Sequence, residues 1–259
     1  MPNTRSISKI VLALILVASV ANAGSVIKIE SGGGGGGGGA FTFIASANGA
    51  DDTNDVDIST STTLNVQAGD LLIGAVQWED TDTTVSSFTD GGSTPNTLSF
   101  TTGDDVHSAG NEINLYPLVR TSAVTNSAAT FTVTLGSARQ FKKMVVLQFR
   151  PAGCPGACET VTRDVSGTRE ANGNSASILS GSFSTTGTDN VVCGIAGIYT
   201  GGVWSAQTLA GSASTDNASP SGITGWCRRV SSALSTQTAS STYSQTRFWA
   251  ATVLSYKSE

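Results

Sequence analysis

From Val56 to Val66 the chain alternates without a break. Val56, Ile58, Thr60, Thr62, Leu64 and Val66 fall on one side of a period of two, with Asp57, Ser59, Ser61, Thr63 and Asn65 on the other. Successive side chains of extended backbone point to opposite faces, so this pattern can bury one face only as β-structure. After the Gly69-Asp70 turn, Leu71-Leu72-Ile73-Gly74-Ala75-Val76 is a continuous apolar run, the signature of a central strand covered on both faces. Phe41, Phe43 and Ala45 alternate upstream. Further strands are expected around residues 85–88, 97–100, 113–119, 131–135 and 144–149, separated by Gly, Asn, Asp and Ser clusters. No stretch carries a helical period. Charged residues are only 13% of the chain, about half the usual globular share, and Ser and Thr fill the outward strand positions instead. The fold expected is all-β, with no substantial helix in the mature chain.

The pattern then repeats. Val146-Leu147-Gln148-Phe149-Arg150 matches Val253-Leu254-Ser255-Tyr256-Lys257, and Leu71-Leu72-Ile73-Gly74 matches Val191-Val192-Cys193-Gly194. A looser match aligns Tyr116–Val124 with Trp226–Leu234, each containing a cationic residue and a Ser-Ala pair. Three matches in the same order point to a tandem duplication. The expectation is two antiparallel β-sandwiches, residues 40–151 and 159–259, joined by a Cys-Pro-Gly linker at 152–158. A jelly roll and an immunoglobulin-like key both fit; periodicity does not choose between them, and strand count leans to the jelly roll.

The N-terminus is of another kind. Arg5 and Lys9 precede the short apolar run Ile10–Val20, and Ala21-Asn22-Ala23 offers a small-x-small cleavage site, so residues 1–23 read as an export signal. The apolar run is too short to span a bilayer, and no membrane span is expected once the signal is removed. Residues 24–39 hold an alternating segment, Val26-Ile27-Lys28-Ile29-Glu30, followed by eight consecutive glycines, Gly32 to Gly39. Polyglycine holds no fixed conformation. It tethers the arm Val26, Ile27, Lys28 and Ile29 across a mean distance of about 16 Å, or about 28 Å stretched. A leashed strand can add to an open sheet edge.

Cys154, Cys158, Cys193 and Cys227 make an even count, which in an exported chain favours disulfides. Three pairings exist on paper. Cys154-Pro-Gly-Ala-Cys158 brackets a turn that suits a local bridge, leaving Cys193 to pair with Cys227; a four-Cys zinc site is the rival, without a second close pair to support it.

Asp51, Asp52, Asp55 and Asp57 crowd into seven residues. Such oxygen ligands suit calcium, although the Gly and distal Glu of an EF-hand loop are missing, so composition alone carries this candidate. No cofactor is required. Glu79, Asp80 and Glu112 single out no catalytic carboxylate pair, and the one His, His107, lies beside Asp104 and Asp105 without a nucleophile elbow. An enzyme is not expected. Trp78 and Trp204 are the candidate glycan contacts among strand-end aromatics that include Tyr116 and Tyr199. A net charge of −5 without a basic patch argues against nucleic acid.

An export signal, a strand-like arm on a tether and a Ser/Thr-rich β-body together resemble the secreted, self-assembling subunits of surface filaments. The resemblance implies a sandwich, often a jelly roll and sometimes with calcium, completed by the N-terminal strand of the next subunit. The duplicated body departs from that pattern. The expected function is an extracellular structural or adhesive protein that partners itself as a homopolymer; the alternative is a secreted module binding a polysaccharide or cell surface through exposed aromatics.

Overall fold

In the first half of the computed structural model the strands are β1 (Phe41–Asp51), β2 (Asp55–Ser59), β3 (Leu64–Val66), β4 (Leu71–Glu79), β5 (Val85–Thr89), β6 (Val106–His107), β7 (Ile113–Thr121), β8 (Asn126–Ala129), β9 (Thr132–Arg139) and β10 (Lys142–Pro151). Residues 41–79, 83–91, 106–108, 113–122, 125–154, 160–199, 202–219 and 222–258 are described, and they contain no helix. The strand expected at 97–100 and the arm at 26–29 lie outside these residues.

The antiparallel pairing is nested: β1 with β10, β2 with β9, β3 with β8, β4 with β7. One long ribbon rolled on itself gives this connectivity, which is that of a jelly roll rather than of an immunoglobulin-like key. An inner sheet runs β1-β10-β4-β7-β6 and an outer one runs β2-β9-β5, with β3 and β8 as a separate pair. The apolar run of β4 is buried along both faces, as its sequence demands. One face meets Ile58, Leu64, Phe88, Phe131 and Val133 from the outer sheets. The other meets the second half.

That half comprises β11 (Val161–Arg163), β12 (Ala171–Leu179), β13 (Asn190–Ile198), β14 (Trp204–Leu209), β15 (Ser212–Ala213), β16 (Asp216–Ala218), β17 (Ile223–Val230) and β18 (Ala239–Ser258). It follows the same plan, with one strand doing the work of two. The C-terminal part of β18 pairs with β13 as β10 pairs with β4, and its N-terminal part pairs with β14 as β9 pairs with β5. Register agrees residue by residue. Val146 lies opposite Gly74 and Leu147 opposite Ile73, just as Val253 lies opposite Gly194 and Leu254 opposite Cys193.

The third sequence match needs a shift of two residues. Gly74 faces Leu118 and Gly194 faces Trp226, so Trp226 corresponds to Leu118 and not to Tyr116. A slip of two keeps every side chain on its own face, so the alternation could not reveal the error.

The inner sheets stack with β4 on β13, β10 on β17, β7 on β18 and β1 on β16. Since β18 is the counterpart of β10 and β17 of β7, the halves exchange roles across an approximate two-fold axis, the arrangement of an isologous dimer within one chain. Leu71, Ile73, Leu115, Leu147 and Phe149 share a single core there with Val191, Ile195, Ile223 and Leu254. All described residues belong to one compact unit, Gly37–Glu259. Gln77 crosses the seam, its side-chain amide donating to the Ile198 carbonyl at 2.7 Å in a fully buried position. Close approach requires a glycine opposite: a Cβ on Gly197 would stand 2.0 Å from Gln77 Oε1.

Candidate functional site

The acidic stretch forms a corner where the chain leaves the inner sheet for the outer one. Asp51 ends β1 directly opposite Lys142, the first residue of β10, and Asp55 begins β2. The register drives the Lys142 side chain into the corner, where it is fully buried. Its ammonium donates to Asp55 Oδ1 at 2.5 Å and to the carbonyls of Thr53, Asp55 and Arg139 at 2.9, 3.1 and 2.8 Å, with Asp51 Oδ2 at 3.2 Å. An internal cation thus occupies the oxygen-rich centre of the loop. Burial raises the Asp51 carboxyl, but the Thr53 hydroxyl and amide and then Lys142 outweigh it, bringing it from 3.8 down to about 2. Hydrogen bonds from Lys142 and then Thr53 lower Asp55 as well.

The other two acidic residues point elsewhere. Asp52 pairs with Lys143 at 2.7 Å, and Asp57 accepts from Thr134 at 2.6 Å across the outer sheet. Among the described residues no group of three or more His, Cys, Asp or Glu converges as a metal site. The spacing that suggested calcium says nothing of Lys142, which arrives from a strand far along the chain.

Trp78 and Trp204 are both interior. Trp78 is 0% and Trp204 9% exposed; the first stacks near Tyr116 and the second packs against Tyr243. Neither offers a ring face to a glycan. Alternation places an aromatic on a face but cannot tell whether a second sheet covers that face.

Cys193 and Cys227 are bonded and buried, and they lie directly opposite each other on β13 and β17. Cys154 is also disulfide-bonded; Cys158 falls outside the described residues. These bonds are compatible with export, as is the finding that no helix among the described residues is long and apolar enough to cross a membrane. His107 pairs through β6 with Asn114; Asp80, Asp104, Asp105 and Glu112 are not among the described residues.

Sequence reasoning named Glu79 and Tyr199 singly but did not join them, and it did not single out Phe141. At the end of the seam Tyr199 donates its hydroxyl to Glu79 Oε1 at 3.2 Å, and the Phe141 ring meets Tyr199 edge-on at 5.3 Å. Glu79 ends β4 and Tyr199 directly follows β13, its counterpart. Phe141 sits in the turn between β9 and β10 at φ 53°, a conformation bulky residues avoid. No glycine or asparagine marks that turn in the sequence, so nothing there signals left-handed backbone. No family model, curated protein or solved structure matches this chain.

Proposed function

We propose that the protein is an extracellular structural or adhesive subunit, without catalytic activity, that assembles with copies of itself by exchange of its N-terminal strand. One observation carries the reading. Among the described residues β1 is the outermost strand of its sheet, paired with β10, and it is the strand into which the glycine tether leads. Natural sheets blunt such edges with breaks, charges or prolines. The corresponding edge of the second half is broken, with β11 and β12 separated by residues 164–170. β1 runs eleven residues with one bulge near Ile44, and it has no lysine and no proline. Ser61 donates to the Asn48 carbonyl on this edge, and the stretch 41–47 is where the β-prone segment 26–29 would add through main-chain hydrogen bonds. A contact from one copy to the next uses each arm and each edge once and grows an open chain.

Purified mature protein is expected to elongate into polymers by light scattering and negative-stain microscopy, and a variant lacking residues 24–31 to stay monomeric. Polymers that grow equally well without the arm, or no polymers at all, would sink the reading.

A further inference from the structure

We infer that Phe141, Tyr199 and Glu79 form a binding site for a neutral saccharide at the end of the seam between the two halves. The starting point is the backbone of Phe141. Left-handed geometry is unfavourable for an L-residue, and glycine in its place would avoid that cost. Among the described residues two other non-glycine residues have positive φ, and both are alanines with a local reason. Ala206 lies in the bulge of β14, between Ser205 and Thr208. Ala210 precedes Gly211 in the tight turn from β14 to β15, where φ is 52° and 71°. Among the described residues Phe141 alone carries a large side chain in such a conformation, and its ring, packed edge-on against Tyr199, remains 36% exposed. Strain kept at an exposed aromatic points to a use outside stability.

The neighbours select the ligand class. Tyr199 is held by its hydrogen bond to Glu79, so ring, phenol and carboxylate keep a fixed arrangement. The Phe141 ring supplies an apolar surface, and the Glu79 carboxylate supplies acceptors for hydroxyl donors. A sugar ring presents both requirements, a C–H face and a hydroxyl rim. An anionic ligand would meet Glu79 on a chain of net charge −5. A purely apolar ligand would strip water from the carboxylate without replacing its hydrogen bonds. Glu79 and Tyr199 occupy corresponding places in the two halves, so the site exists only where both copies of the sandwich meet. It does not depend on the arm, and it moves the glycan contacts from the interior Trp78 and Trp204 to the seam.

The test is affinity electrophoresis of the full mature chain through gels containing hydroxyethyl cellulose, laminarin or amylose, run beside thermal melts. Wild type is expected to be retarded by at least one of the three. Phe141→Gly should weaken retardation about tenfold, the scale of a lost aromatic contact, while melting no lower than wild type. Glu79→Gln should weaken it also. Retardation by none of the three polymers overturns the proposal. So does a Phe141→Gly variant that binds as wild type, or one that melts well below it, which would make the ring a packing element.

Discussion

The two halves close the same corner with opposite chemistry. Asp51 lies opposite Lys142 in the first, and at the corresponding place in the second Gly173 lies opposite Trp249. In the first half a buried ammonium gathers two carboxylates and three carbonyls, and the chain breaks into β9 and β10 around it. In the second half the Trp249 ring lies flat on Gly173, where a Cβ would stand 2.7 Å from the indole, and its N–H donates to Ser175 at 3.1 Å. There the strand continues as β18, with its pairing to β12 interrupted at residues 243–246. One backbone register therefore tolerates either solution. An ammonium needs several oxygens turned toward it, among them the Arg139 carbonyl at the turn before β10, whereas an indole needs a flat surface and one acceptor.

The comparison can be broken most sharply at Trp249. Trp249→Ala removes the packing closure and should cost about 4 kcal/mol in urea unfolding, the usual range for a buried aromatic. A loss below about 1 kcal/mol would mean that the indole merely covers a corner held by the strand itself.

The next effect is specific to the second half, which has Cys193 and Cys227 where the first has Ile73 and Val119. Cys193→Ala with Cys227→Ala should lower stability by about 3 kcal/mol, through loss of a cross-link that closes a moderate loop. Unchanged melting would show that packing at this seam suffices without the bond, as it does in the first half.

Lys142→Met should cost about 2 kcal/mol, less than an ion pair buried on both sides, because water can reach Asp51 and Asp55 once the ammonium is gone. A variant as stable as wild type would show that the cage is dispensable and that the first-half corner needs no internal cation.

The smallest effect is one of pH. A carboxyl lowered on folding contributes stability above its unfolded value, and that contribution is lost as pH falls through the folded one. For Asp51 the window runs from 3.8 down to about 2. Acid titration of stability should be shallower there for Lys142→Met than for wild type, and unaltered for Trp249→Ala. Equal slopes in all three proteins would show that the Lys142 contribution to the Asp51 shift is negligible.

Much of this was readable beforehand, for local reasons. The alternation at Val56–Val66 and the apolar run at Leu71–Val76 specify β-structure wherever the chain places them. The duplication was visible because the central strands keep their character in both copies. The candidate sites fared differently. Asp51 and Asp55 look like a cation site, and they hold a cation, but it is the side chain of Lys142, 87 positions beyond Asp55. Trp78 and Trp204 have the character of surface stackers and lie inside, since coverage of a strand face depends on which sheet lands on it.

The sequence by itself therefore determined the strands, their faces and the fact of repetition, because these follow from periods of two over a few residues. Only the tertiary structure decided the nested jelly-roll pairing, the two-fold stacking of the halves and the meeting of Glu79, Tyr199 and Phe141. Those arise between residues distant in the chain, where register and packing rather than local propensity select the partner.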